Sequence, residues 1–166
     1  MTKFISDKIK KKSAARLAAV QAVYTIEYGD LPVDVVVREF VKGTIGRQVI
    51  DEDLETQTEE LVAVNEMDTN YFAELVRGVH NRLEWVENSV QKSLTEDWSY
   101  DRMDGTLKAV LFCGVYELMA NTSVDAKVII KEYVDIAYAF FDKAEPKMVN
   151  AVMDRMARII RNVEFN

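Results

Sequence analysis

The segment that decides the fold is residues 109–119, AVLFCGVYELM. Glu117 is its one charged residue, and apolar side chains otherwise occupy almost every direction around the helical turn. A helix that is apolar on nearly all sides has to be buried, so we expect this segment at the centre of a helical bundle. The helix is predicted to begin near Asp104 and to end near Asn121.

Helical spacing of apolar residues continues on both sides of this segment, and no stretch alternates with the period of a strand. Asp68 and Asp125 precede two of the apolar stripes and are predicted to cap their helices. Few glycines and prolines interrupt the pattern. The sequence predicts an all-α fold with six to seven helices in two packed helical bundles. The predicted helices cover about residues 14–29, 32–42, 69–94, 104–121, 125–140 and 146–163.

The organisation changes between residues 43 and 66. Asp51–Glu60 holds six acidic residues and no basic residue, which is typical of a weak exposed helix or a loop. A calcium-binding loop starting at Asp51 would need a glycine where Thr56 stands and an acid where Val62 stands. We therefore expect one domain over residues 1–166, with an N-terminal sub-bundle over about 8–66 and a C-terminal sub-bundle over about 67–166.

Charge is distributed very unevenly along the chain. The formal net charge is −7, yet residues 1–16 hold six basic residues and one acidic residue, which leaves −12 for residues 17–166. A basic arm on an acidic body predicts a local binding site for anions such as a phosphate chain. The alternative is a solvated N-terminus without a ligand.

If the first helix extends back through this arm, Lys8, Lys12 and Arg16 lie on one face because they are four residues apart. Cations at this spacing suit successive phosphates of a single strand. The apolar stripe of this helix, from Leu17 to Tyr24, is predicted to face the core and to leave these cations exposed.

A second candidate for RNA contact lies where the last helix starts. Phe140 and Phe141 are adjacent and cannot share one helical face, and lysines flank the helix start. Splayed RNA bases stack on exposed aromatic rings, and helix N-termini attract phosphates. The alternative is that both rings pack into a wide core.

Nothing in the sequence argues for catalysis. His80 is the single histidine, Cys113 lies in an apolar segment that keeps a thiol unreactive, and no glycine-rich phosphate loop follows a strand. We expect no metal site, no cofactor and no disulfide. The sequence contains neither an 18-residue apolar run nor a secretory signal, so we expect a cytoplasmic protein without a membrane span.

Five blocks in order resemble the NusB family of transcription antitermination factors. The blocks are residues 16–24 (RLAAVQAVY), 71–79 (YFAELVRGV), 107–118 (LKAVLFCGVYEL), 127–132 (KVIIKE) and 147–154 (KMVNAVMD). The resemblance covers most of the chain outside residues 43–66. It implies an all-helical fold and a non-catalytic role: binding boxA RNA, a single-stranded element of nascent and notably ribosomal RNA transcripts, together with the ribosomal protein NusE in an antitermination complex on RNA polymerase.

The resemblance, together with the charge pattern, assigns two sets of contacts. The residues expected to bind RNA are Lys8, Lys10, Lys11, Lys12, Arg16, Lys143, Lys147 and Met148. The residues expected at the NusE contact are Leu107 and Lys108. The lysines stand where the family is usually rich in arginine, and Met148 stands where it has an aromatic residue.

Two other functions are compatible with the sequence. The same fold occurs as the N-terminal domain of some ribosomal RNA cytosine methyltransferases, although this chain holds no glycine-rich cofactor motif. A helical protein-interaction module without RNA binding is the second alternative. RNA binding whose affinity falls steeply with salt would favour an antitermination factor over an interaction module that does not bind RNA.

Overall fold

The computed structural model of the chain describes residues 2–43 and 67–162, with side chains described from Asp7 onward. These residues form seven α-helices and one 3-10 turn, and they contain no strand. The prediction of an all-α fold is confirmed. The helices are α1 (Thr2–Gly29), α2 (Val33–Val41), α3 (Thr69–Asn81), α4 (Leu83–Ser93), α5 (Gly105–Ala120), α6 (Ala126–Phe140) and α7 (Ala144–Ile160), and the 3-10 turn is Tyr100–Arg102.

Short polar side chains set several helix ends. The Asp104 carboxylate accepts hydrogen bonds from the backbone N–H groups of Thr106 (2.7 Å) and Leu107 (3.4 Å), which caps α5. Asp68 caps α3 by accepting from the Tyr71 N–H at 3.0 Å. Asp125 occupies the N-cap position of α6, but its side chain makes no capping bond. The predicted capping role is therefore confirmed for Asp68 and wrong for the Asp125 side chain.

The predicted helix over residues 69–94 is interrupted at one residue. Arg82 has φ −116° and ψ 21°, which separates α3 from α4. Its N–H still donates to the carbonyl oxygens of Gly78 (3.0 Å) and Val79 (3.2 Å), and its own carbonyl oxygen accepts from Val86. The backbone hydrogen bonds thus continue through the interruption, which explains why the apolar stripe does not reveal it.

The chain divides into two compact units, Met1–Arg77 and Gly78–Asn166, and the division falls within α3. In the first unit α1 packs against α2. The rings of Phe40 and Phe72 stack there with centroids 5.6 Å apart, and Arg77 forms an ion pair with Asp34. The sub-bundle limits given by the sequence stay a prediction, and the acidic run lies outside the described residues.

The buried face of α1 differs from the predicted one by about one residue. Its buried side chains are Ala15, Arg16, Ala18, Ala19, Val20, Ala22, Val23 and Ile26. Leu17 is half-buried, and Tyr24, predicted to face the core, is 42% exposed and lies against Tyr28 with ring centroids 5.1 Å apart. Alanines at many positions make two adjacent faces equally apolar, so spacing alone could not choose between them.

In the second unit α5 is the central helix, as its composition predicts. It packs against α4, α6 and α7, and its side chains from Ala109 to Val115 are all buried. Gly114 allows close packing, because a Cβ there would lie 2.7 Å from the Met153 side chain. The buried Glu117 accepts a hydrogen bond from the Tyr133 hydroxyl at 2.7 Å.

Arg161 closes the C-terminal end of α5. Its guanidinium is buried and donates to the carbonyl oxygens of Leu118, Asn121 and Val124, the first at 2.9 Å. A cation at a helix C-terminus satisfies carbonyl groups that have no partner within the helix and interacts favourably with the helix dipole. Among the helices in the described part of the chain, none is long and apolar enough to cross a membrane.

Candidate nucleic-acid interface

The basic turns of α1 form the first candidate surface. Lys8, Lys10 and Lys11 are exposed, and Lys12 is half-buried. The Lys12 ammonium lies 5.3 Å from the centroid of the Tyr71 ring, within the range of a cation–π interaction. This end of α1 therefore combines exposed positive charge with one cation held against an aromatic ring.

Arg16 lies one turn further along α1, and it is only 3% exposed. Its guanidinium carbon is 5.3 Å from the Tyr71 ring centroid, and its Nη2 donates to the Tyr71 hydroxyl at 3.2 Å. The expectation that Arg16 is clear of the core is wrong, because the buried face of α1 includes it. A buried charge needs such partners to offset the loss of hydration.

Tyr71 is held in place by the start of α3. The Asp68 N–H donates to the Lys11 carbonyl oxygen at 3.1 Å, and the Asp68 side chain caps the Tyr71 N–H. The α3 N-terminus is thereby fixed to the same turn of α1 that carries the lysines. The sequence did not reveal this role of Tyr71, because its contact with Arg16 joins residues that are 55 positions apart in the chain.

The start of α7 is the second candidate surface. Lys143 at the N-cap and Lys147, the fourth residue of α7, are exposed, as predicted for anion-binding residues. Met148 is 6% exposed, because it belongs to the buried face of α7 that also contains Val152 and Met156. The structure thus leaves the two lysines accessible and buries Met148, the third residue expected to bind RNA at this surface.

The two phenylalanines that precede α7 differ in exposure. Phe140 is 42% exposed and Phe141 is half-buried, with ring centroids 6.4 Å apart. Of the two alternatives, the packing of both rings into a core is therefore excluded. Phe140 remains accessible at the end of α6.

A cavity of about 300 Å³ opens beside Lys147. One wall is the segment that follows α4, and the other wall is a face of α7. Trp98 and Arg155, which the sequence analysis missed, contribute an indole ring and a second cation. The residues that line the cavity are Ser93, Thr95, Asp97, Trp98, Ala144, Lys147, Met148, Ala151, Val152 and Arg155.

The start of α5 presents a small polar surface at the predicted partner contact. The Lys108 ammonium lies 4.2 Å from the Tyr100 ring centroid, and the Tyr100 hydroxyl donates to Glu87 Oε2 at 3.1 Å. Leu107 is buried and contributes to the core instead. Of the two residues assigned to the NusE contact, only Lys108 reaches this surface.

The structure places Cys113 in the interior and His80 at the surface. Cys113 is buried in α5, and its pKa is raised above its ordinary value by burial and, to a smaller extent, by the Glu117 carboxylate. A thiol in this state is protonated and poorly nucleophilic. His80 is exposed on α3. Among the described residues, no cluster of three or more His, Cys, Asp or Glu side chains could hold a metal ion.

The family comparison matches most of this helical chain. The model of the NusB family aligns with residues 13–158. This chain belongs to the NusB family. That match includes Arg16 and the whole α7 surface, whereas Lys8, Lys10, Lys11 and Lys12 precede its first residue. The lysines of α1 are therefore supported by charge and exposure, independently of the NusB match.

Proteins named transcription antitermination protein NusB are similar to this chain over nearly its whole length. The protein from Rhodospirillum rubrum is 45% identical over 161 residues, which cover 93% of this chain and 87% of the relative. The protein from Caulobacter vibrioides is 39% identical over 156 residues, which cover 94% of this chain and 98% of the relative.

Solved NusB structures share the fold. NusB from T. maritima matches with a TM-score of 0.66 at 22% identity, covering 92% of this chain and 95% of that one. A crystal structure of the antitermination factors NusB and NusE in complex with dsRNA matches with a TM-score of 0.66 at 20% identity, covering 89% and 96%. At these identities the likeness confirms the all-α fold.

Proposed function

We propose that this chain is a transcription antitermination factor that binds a boxA-like segment of single-stranded nascent RNA, notably ribosomal RNA, together with NusE. It acts in the cytoplasm as a non-catalytic component of an RNA polymerase antitermination complex and needs no cofactor. The NusB relatives that bear this name support the proposal, as does the solved complex of related factors with RNA.

The observation that carries the proposal is the exposed positive charge at the head of α1. Lys8, Lys10 and Lys11 face solvent there, while residues 17–166 carry a net charge of −12. A polyanion is attracted to such a turn and repelled by most of the remaining surface. The lysines supply sequence-independent phosphate contacts in this proposal.

Arg16 and Met148 have supporting roles in the proposal, because both are buried. Arg16 keeps the Tyr71 ring beside Lys12 and thereby fixes the shape of the basic turn. Met148 anchors the start of α7, so that Lys143 and Lys147 remain at the surface. Replacing Arg16 or Met148 is therefore expected to weaken RNA binding indirectly, because the local structure around the lysines would change.

The NusE contact is proposed at the start of α5. Lys108 and Tyr100 form its accessible part, and the buried Leu107 fixes the helix turn beneath them. The half-buried Lys108 over the Tyr100 ring offers a partner both a charge and an apolar face. The contact is expected to depend on Lys108 more than on the exposed lysines of α6, Lys127 and Lys131.

A gel-shift titration at low salt tests the proposal. A boxA-like RNA and a scrambled RNA of equal length are titrated with the full chain, alone and with NusE. We expect tighter binding of the boxA-like RNA and a further gain when NusE is present. Absence of any RNA shift with NusE present would contradict the proposal, and retained NusE binding in that case would favour an interaction module without RNA binding.

A further inference from the structure

The cavity beside Lys147 has two chemically different walls. The backbone N–H of Trp98 donates to the Thr95 carbonyl oxygen at 3.2 Å, which closes a turn and places both residues at the cavity. The α7 wall contributes the small side chains of Ala144 and Ala151. The lining therefore combines an aromatic residue with small side chains.

The cations at the cavity are fixed to different degrees. Arg155 Nη1 donates to the Ser93 carbonyl oxygen at the end of α4, which anchors the guanidinium at the cavity wall. Arginine has five N–H donors, so this bond leaves several of them for a ligand. Lys147 is exposed on the same helix, two turns earlier.

One acidic side chain also lines the cavity. The Asp97 carboxylate disfavours a free anion, although Lys147 and Arg155 would attract one. A carboxylate accepts hydrogen bonds from the exocyclic amino group of a base such as cytosine. Two cations, one carboxylate and an indole therefore suit a ligand that joins an anionic group to a neutral, flat, amine-bearing ring.

The size of the cavity fits the same ligand class. About 300 Å³ is at the lower end of the range for small-molecule sites, which suits a single nucleotide and is too small for a longer segment. Sequence-specific recognition of RNA relies on unpaired bases that stack on aromatic rings and form hydrogen bonds through their edges.

We propose that this cavity holds one unpaired nucleotide of the bound RNA, with its base against Trp98 and its phosphate near Lys147 and Arg155. The inference rests on the proposed function, because it requires that the chain binds RNA. It adds a base-selective pocket to the charge-based contacts of α1. Asp97 favours a base with an exocyclic amino group, so cytosine or adenine is preferred over uracil.

Fluorescence of Trp98 tests the proposal directly. Trp85, the other tryptophan, lies outside the cavity, so W85F leaves Trp98 as the reporter, and W85F/W98F supplies the blank. BoxA-like RNAs, each with one base replaced by an abasic site, are titrated in turn. We expect intact RNA to quench Trp98 and one abasic position to abolish the quenching, with about a tenfold loss of affinity.

Three results overturn the proposal. If RNA shifts the protein on a gel but never changes Trp98 fluorescence, the cavity takes no base, while the proposed function stands. If no RNA binds, the proposed function and the nucleotide site fail together. Quenching by NusE without RNA would also overturn it, because the cavity would then belong to a protein contact.

A matched pair of α7 variants adds an independent readout. Arg155 lines the cavity, whereas Arg158 lies outside it and pairs with Asp154 at 3.0 Å. R155Q is expected to weaken binding of intact RNA about tenfold and to have a smaller effect on the RNA that lacks the critical base. R158Q is expected to change affinity less than twofold, and equal effects of the two variants would overturn the proposal. Thermal unfolding of R155Q measures how much stability is lost with the bond to Ser93. Recovery of RNA affinity in R155K would show that the cation itself contributes to RNA binding.

Discussion

Two helices, α1 in the first unit and α5 in the second, differ in what they bury. Half of the described buried side chains of α1 are alanines, and the buried face includes Arg16, while Lys8, Lys10, Lys11 and Tyr24 face solvent. In contrast, α5 is buried on nearly all sides and encloses Cys113 and Glu117. The described lysines of α1 are thus at or near the surface, where we propose that they bind RNA, whereas α5 forms the core of the second unit.

This difference shows where function and stability are separable. A substitution on the exposed turn of α1 is expected to change binding with little change in the free energy of unfolding, whereas a substitution in α5 is expected to do the reverse. Arg16 is the exception within α1, since it belongs to a site predicted to bind RNA but lies among buried side chains.

The largest expected effect comes from Arg16. R16Q removes the cation–π contact and leaves the Tyr71 hydroxyl without this donor, so we expect a loss of about 2–4 kcal/mol in the free energy of unfolding. Urea denaturation of R16Q, Y71F and the double variant measures the coupling between the two residues, which is expected to be at least about 1 kcal/mol.

The matched control for Arg16 is the exposed Lys10 on the same helix. K10Q is expected to change the free energy of unfolding by less than about 0.5 kcal/mol. If R16Q were as stable as K10Q and instead weakened RNA binding, Arg16 would contact RNA directly and its buried position would not hold in solution.

A glycine pair compares the packing of α5 with that of α1. G114A places a Cβ 2.7 Å from Met153 and 3.3 Å from Tyr133, so we expect a destabilisation of about 1–3 kcal/mol. G29A at the end of α1 meets no atom closer than 3.8 Å and is expected to be neutral or slightly stabilising. Equal thermal shifts in the two variants would contradict the tight packing around α5.

The buried thiol of α5 predicts a pH dependence. Burial and Glu117 raise the pKa of Cys113, so the folded chain keeps the thiol proton at pH values where the unfolded chain releases it. Stability from this source is complete below about pH 9 and declines above it, by at most about 1.4 kcal/mol per pH unit. Urea denaturation between pH 8 and 10 measures the decline, which should be smaller in C113A.

Alkylation gives a second check on the same residue. Iodoacetamide should modify Cys113 in urea and leave the native chain unmodified at pH 8. Rapid modification of the native chain would show that α5 opens far more readily than its packing indicates.

Much of the fold could be predicted from the sequence. The apolar composition of α5 predicts its burial, and Asp68 and Asp104 mark the starts of two helices. Which face of α1 is buried could not be predicted, because alanines occur both at buried and at exposed helix positions. Arg82 breaks one predicted helix without disturbing the apolar stripe or most backbone hydrogen bonds.

The candidate site was predicted in part. The exposure of the lysines at the starts of α1 and α7 could be predicted from their charge, since lysine side chains are rarely buried. Trp98 and Arg155 were missed because they are distant in sequence and meet only when α4 and α7 pack together. Arg16 and Met148 were placed correctly along their helices, but local spacing did not show that both are buried.

The salt dependence of RNA affinity tests the central claim most directly. K8Q/K12Q removes two cations from the basic turn of α1, and K42Q/K127Q removes two exposed lysines elsewhere with the same change in net charge. Against single-stranded RNA, the slope of log K against log salt should become shallower by about 1.4 in K8Q/K12Q and stay at the wild-type value in K42Q/K127Q. Identical slopes for all three proteins, each folded by circular dichroism, would contradict a phosphate-binding role for α1.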